Sequence, residues 1–273
     1  MNDTSLPLKI NTEDDTELLV DTAQMAAAII LESGGETFRA EETASILCRS
    51  AGRDEAEVFA LPTGLFLTAE RKNGSKVSSV RRIRSRSNNL YKIDRVNTLC
   101  REFSAHRITL AELNTKLSSL KDDFIYSRTA LSSAAGLSSM MFTLLFEQAL
   151  SPVVLFDMLV AFGGAFVAQF LCLSSRMKRL YQFTVTFIGS LLLAVLAVLA
   201  VGLSGIGNLT YILIGAITPL LPGLSLTNAI RDTVMGDLVS GTVRLVETLL
   251  IAIGIAGGVG VVLAVYLGLG GGI

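Results

Sequence analysis

Asn228, Arg231 and Asp232 stand at positions i, i+3 and i+4 within PLLPGLSLTNAIRDTVMGDLVSG, residues 219–241. At helical spacing their side chains share one face. An amide, a guanidinium and a carboxylate on one face can hold a small anion, or a proton on a desolvated acid. Asp237 and Arg244 follow, seven residues apart. On a helix running through both they fall on the same side, with Gly241 between them. Pro222 and Gly223 break the preceding apolar run, and Ser225 is placed to cap the helix that follows. That helix would offer free N–H groups and a positive dipole end to a carboxylate. Two arrangements fit the stretch. One is a cytoplasmic amphipathic connector with Arg231 and Asp232 in water. The other is a span broken within the membrane, its polar groups lining a site. Such breaks are tolerated only where they meet protein or a water-filled cavity.

Other candidates lie outside this stretch. Asp157 is near the start of an apolar run and Gln169 near its end. An ionised side chain in hydrocarbon is costly, so Asp157, like Asp232 and Asp237, is a candidate proton carrier. Glu147 and Gln148 read as a solvated end. Glu36, Thr37, Arg39 and Glu41 cluster in GGETFRAEET, residues 34–43. There Glu36 suits a helix N-terminus, and Arg39 can pair with Glu36 or Glu42. The lone histidine, His106, reads as a surface or capping residue. Cys48, Cys100 and Cys172 lack metal-ligand spacing, and their odd number suits a reducing compartment. No GxxxxGK[ST], GxSxG or HExxH motif occurs. No catalytic residue, metal or cofactor is expected.

The elements that must position these residues divide by composition. The 273-residue chain is 51% hydrophobic, and its mean hydropathy of +0.56 points to a membrane. Residues 1–128 carry 18 of the 23 Lys/Arg and 19 of the 24 Asp/Glu, leaving five of each beyond. The near-neutral balance argues against nucleic-acid binding, and the basic run 71–86 reads as a solvated hairpin. The polar, acidic N-terminus is not a signal peptide.

Residues 1–16 read as a flexible tail and 17–128 as an α+β domain. Its Ala-rich residues 17–33 predict an amphipathic helix, broken by Gly34 and Gly35, and residues 37–51 a second. Residues 57–70 are rich in β-formers, with Pro62 and Gly64 at a bend or bulge. Asn73-Gly74 signals a hairpin with a return strand over 76–84. A helical period returns over 88–107, and Thr109 with Glu112 forms a capping box for a helix to about Lys121.

Five apolar segments follow, at 129–150, 152–173, 183–203, 209–221 and 242–269, the fourth short for a span of roughly 20 residues. The basic loop 174–180 and the preceding Lys121 and Arg128 place the soluble domain in the cytoplasm by the positive-inside rule. The expected fold is therefore an α-helical polytopic membrane protein, about five transmembrane helices with an N-terminal cytoplasmic α+β domain. Small residues recur along the last span as Ala252, Ala256, Gly260, Ala264 and Gly268, and as Gly254 and Gly258. They allow close helix packing, within the bundle or between subunits. An odd number of spans with nothing beyond them suggests a unit that a partner completes.

Three segments together resemble the threonine/serine exporter (ThrE-type) family: GGETFRAEET at 34–43, VFALPTGLF at 58–66, and PLLPGLSLTNAIRD at 219–232. The resemblance covers most of the chain, in the same order. It implies the N-terminal half of a two-half transporter, whose second half is a separate, smaller membrane protein. It implies a multi-pass protein of the cytoplasmic (inner) membrane, with export driven by the proton-motive force. Fused members are associated with threonine and serine, and a split pair with succinate. The small carboxylate substrate is thus left open. No catalytic residues carry over. The matching positions are Glu36, Thr37, Arg39 and Glu41, and Pro222, Gly223, Asn228, Arg231 and Asp232. A membrane-anchored hydrolase and a regulatory sensor using the soluble domain are the alternatives.

Overall fold

The computed structural model describes residues 13–122, 126–148, 150–174, 177 and 180–271. Most of the predicted tail, and Arg176, Lys178 and Arg179 of the orienting loop, lie outside the described residues. The chain divides into two units, residues 1–123 with 224–245, and residues 124–223 with 246–273. The segment 224–245, expected within the membrane half, thus groups with the N-terminal residues.

In the first unit, α1 (Glu13–Glu32) and α2 (Thr37–Ser50) precede strands β1 (Glu57–Leu61), β2 (Gly64–Glu70) and β3 (Lys76–Arg82). Helices α3 (Leu90–Ser104) and α4 (Leu110–Asp122) follow. Between Leu19 and Leu31, α1 is buried nearly all round, not on one face as expected of an amphipathic helix. Its alanines explain this. Ala23, Ala26, Ala27 and Ala28 let α2, α4, β2 and β3 all approach one helix.

The strands form an antiparallel sheet in the order β1-β2-β3. Pro62 and Thr63 make a complete hairpin turn where a bend or bulge was expected, because Leu61 pairs directly with Gly64. Leu65, Leu67 and Ala69 point to the core, while Phe59, Phe66 and Val80 stay exposed on the other face. The capping box at α4 is formed. Thr109 N–H donates to Glu112 Oε2 at 2.8 Å, and Glu112 N–H to Thr109 Oγ1 at 3.3 Å. His106 takes a left-handed conformation (φ 58°) and ends α3, with its N–H bonded to Phe103 O.

The second unit contains α5 (Arg128–Glu147), α6 (Pro152–Cys172), α7 (Gln182–Ser204) and α8 (Leu209–Ile217), which closes in a 3-10 turn, Thr218–Leu220. Two further helices complete the chain, α9 (Gly223–Val234) and α10 (Leu238–Gly268). Among the described residues, α5, α6, α7 and α10 are long and apolar enough to cross a membrane. A fifth span counts if α8 and α9 form one broken crossing.

Ala161, Ala168, Leu193, Ala194, Ala197, Ile212 and Ala216 make the core of this unit. On α10 only one of the two small-residue lines packs inside. A Cβ on Gly254 would lie 3.0 Å from Phe183 O, and one on Gly258 2.5 Å from Phe187 O. Ala256, Gly260, Ala264 and Gly268 face outward.

Helix α10 has 31 residues, about 46 Å at ~1.5 Å per residue, against a hydrocarbon core of about 30 Å. Its first turns exceed what a crossing needs. Those turns, through Leu245, belong to the first unit.

Candidate functional site

The site forms where two glycine turns meet. At the end of α1, Gly34 adopts φ 81°. Its N–H bonds to Leu31 O at 3.1 Å, and Gly35 N–H to Ile30 O at 2.9 Å. This Schellman pattern is favoured where a glycine can turn left-handed. Gly35 is needed for a second reason, since a Cβ there would sit 2.5 Å from Ile30 Cγ2. The turn leaves the carbonyls of both glycines available to α9 and α10. Asn228 Nδ2 donates to Gly34 O at 2.7 Å, and Arg244 Nη2 to Gly35 O at 2.6 Å.

The same device ends α9. Gly236 has φ 97°, Gly236 N–H bonds to Thr233 O at 3.2 Å, and Asp237 N–H to Asp232 O at 2.9 Å. The chain then reverses into α10. The two helices approach closely at Gly241, where a Cβ would collide with Thr233 Oγ1 and lie 2.9 Å from Ala229 O. No single helix runs from Asp237 through Arg244 back to Asn228. The hairpin, rather than helical periodicity, brings Arg244 beside Asp232.

Asp232 is the centre of the cluster, with none of its side chain exposed. Oδ1 accepts from Thr37 N–H at 3.2 Å and Oδ2 from Thr37 Oγ1 at 3.1 Å. Arg244 Nε lies 3.0 Å from Oδ2, with its side chain 6% exposed. A carboxylate thus sits at the N-terminus of α2, where free N–H groups and the helix dipole favour an anion. Ser225, expected to cap α9, lies inside it, because that helix begins at Gly223 directly after Pro222. The helix end that holds a carboxylate is α2, and the carboxylate is the protein's own. Asp232 is therefore not solvated, as a water-exposed connector would require.

Around this buried pair lies a charged rim. The carboxylate of Glu36, 8% exposed, pairs with Arg231, 49% exposed, and with Arg39 at 3.7 Å. Two half-exposed guanidinium groups thus share one carboxylate. On the other side Glu41 Oε1 accepts from Ala60 N–H at 2.7 Å and ties α2 to β1. Burial pushes the Glu41 carboxyl above its ordinary range, the Ala60 N–H opposes the rise, and the charges of Asp237 and Asp232 add to it. Asp237 is pushed the same way, by burial and then by Asp232.

The structure thus gathers Glu36, Thr37, Asn228, Arg231, Asp232 and Arg244, with Arg39, Glu41 and Asp237 at the edges. Pro222 and Gly223 fall in the other unit, as does Asp157. Of the three residues expected to share one face, Asn228 and Asp232 lie on the buried face together with Ala229, while Arg231 is exposed beside it. Leu226, Ile230, Val234 and Met235 are left outside. The polar side of α9 is turned to protein and its apolar side away. Sequence reasoning missed the Gly34 and Gly35 carbonyls as acceptors. Their signal was the double glycine itself, which was taken only as a helix break.

Residues 21–266 match the ThrE family, described as "Putative threonine/serine exporter". The chain belongs to this family. No curated protein and no solved structure matches it. Every residue of the cluster lies inside the matched range, so the paired turns, the Asp232–Arg244 pair and the rim are features of a ThrE-family chain. With its apolar helices, the family match makes this a membrane protein of a transporter family.

Proposed function

We propose that the chain is one subunit of a secondary transporter that exports small carboxylate-bearing metabolites across the cytoplasmic membrane. Threonine and serine are the first candidate substrates, and a dicarboxylate such as succinate the second. A separate membrane half completes the transporter. The observation that carries this is the family match over residues 21–266. The candidate spans support it.

Arg231 is the residue best suited to meet the substrate carboxylate. Asp232 and Arg244 pair with each other inside the cluster, whereas the Arg231 guanidinium is half exposed at the rim and shares Glu36 with Arg39. The outward line Ala256, Gly260, Ala264 and Gly268 gives the second half a surface for close helix approach. The N-terminal unit faces the cytoplasm in this proposal, from the Lys/Arg distribution of the sequence.

The test is efflux from preloaded cells. Arg231→Ala abolishes efflux of labelled substrate while the protein still inserts in the membrane. Unchanged efflux in that variant removes Arg231 from the transport path.

A further inference from the structure

Helix α9 is amphipathic the wrong way round for water. Its buried residues are Asn228, Ala229 and Asp232. Leu226, Ile230 and Val234 follow one another along its other side and are all exposed, Val234 to 78%. Met235, Leu238 and Val239 carry this apolar surface round the Gly236 turn into α10, and they too are exposed. Single exposed aliphatic residues are common on a protein surface, but a continuous patch of this kind marks a surface that something apolar covers.

Three observations say what covers it. The first is continuity. Leu238, Leu245, Leu249 and Ile253 lie along one side of α10 and are all exposed, so the patch runs on along a helix long and apolar enough to cross a membrane. Arg244 is turned into the cluster, and Glu247, nine residues after Leu238, falls on the opposite side of α10. The second is length. At about 46 Å, α10 matches a bilayer with its headgroup layers, about 40–45 Å in all. Its charge-free part, Thr248 to Gly268, measures about 31 Å and fits the hydrocarbon core of about 30 Å. The turns before it, 238–247, then cross the headgroup layer, and α9 approaches them at Gly241. The third is charge. Among the exposed residues of 221–246 there is no Asp, Glu or Lys, and the one charged side chain is Arg231. A lone cation at the edge of an apolar helix face suits phosphate headgroups above acyl chains.

We propose that the outward face of α9 and of the first turns of α10 lies against the lipid bilayer, with Ile230 and Val234 at the boundary between headgroups and acyl chains. Helix α9 is then neither a connector in water nor half of a broken span. It is an interfacial helix whose polar side is clamped by Gly34, Thr37 and Arg244 and whose apolar side is covered by lipid. The Asp232–Arg244 cluster is thereby held at the membrane surface, at the depth where α10 enters the bilayer. The contact rests on the membrane location of the chain and not on the exporter function proposed above.

The experiment places an environment-sensitive fluorophore on single cysteines, Ile230→Cys and Val234→Cys, in the full chain carrying Cys172→Ser. Cys48 and Cys100 are buried and stay unlabelled. Glu55→Cys, at an exposed position of the first unit, is the aqueous reference. Each protein is checked by size-exclusion chromatography and reconstituted in vesicles of phosphatidylcholine and phosphatidylglycerol. Lipid carrying a nitroxide near the top of its acyl chain is expected to quench the labels at 230 and 234 several times more strongly than the reference, and aqueous iodide several times more weakly. Lipid quenching no stronger than at the reference overturns the proposal. With strong iodide quenching the face is then in water, and with neither quencher effective it is covered by protein, such as a second copy of this chain.

Discussion

Replacing Asp232 with leucine removes the carboxylate paired with the Arg244 guanidinium, which is 6% exposed. It also removes both acceptors for Thr37, whose N–H and Oγ1 bond to the carboxylate at 3.2 and 3.1 Å. Breaking a buried ion pair by removing one member costs about 3–5 kcal/mol, because the other charge stays buried. Each ~1.4 kcal/mol is a factor of ten, so the α9–α10 hairpin should open about a hundred to several thousand times more often. The double variant Asp232→Leu/Arg244→Met removes the buried charge as well; Thr37 loses its acceptors in both variants, and the further loss, the donor to Gly35 O, costs about 1–3 kcal/mol, less than an uncompensated buried charge. It should therefore be more stable than Asp232→Leu alone. The assay is amide hydrogen exchange on the full chain, reading peptides from residues 34–42 and 226–244. Faster exchange in both regions for the single variant, partly reversed in the double, is expected. Unchanged exchange in Asp232→Leu, or a double variant as open as the single, refutes the role given to this pair.

Four further outcomes can be checked. Gly35→Ala places a Cβ 2.5 Å from Ile30 Cγ2 and should cost about 1–3 kcal/mol in thermal or denaturant unfolding, whereas Gly52→Ala meets no neighbouring atom and costs only the strain of its positive φ. Because the folded Glu41 carboxyl is raised, stability is fullest below its ordinary range and falls as pH rises through the folded value; Glu41→Gln keeps an acceptor for Ala60 N–H and should flatten that part of the pH–Tm curve. Cys48 and Cys100 are buried, with thiols pushed up to about 12, so neither should react with a maleimide at neutral pH until the chain is unfolded. On α10, Gly258→Leu should disrupt packing on α7, while Gly260→Leu should leave the fold intact and weaken co-purification with the second half.

How much was legible in the sequence follows from which forces are local. The helices and hairpin of the first unit announce themselves through period, glycine breaks and Asn73-Gly74. The apolar runs announce the spans. The shared face of Asn228 and Asp232 is likewise a property of a single helix. What was not legible depends on contacts across the chain. Helix α1 looked amphipathic, and only its neighbours show that its alanines are there to be covered on all sides. The break at Gly236 was hidden because Asp237 and Arg244 also fit one continuous helix. Nothing local says that the N-terminus of α2 meets Asp232, 195 residues away along the chain.

The most direct test of the central claim is efflux of labelled threonine, serine and succinate from preloaded cells carrying this chain, alone and together with the product of the adjacent gene as the candidate second half. The account predicts that the pair exports at least one of the three, that the chain alone does not, and that Arg231→Ala in the pair abolishes the efflux. Retention of all three substrates by cells that carry both membrane-inserted halves would contradict it.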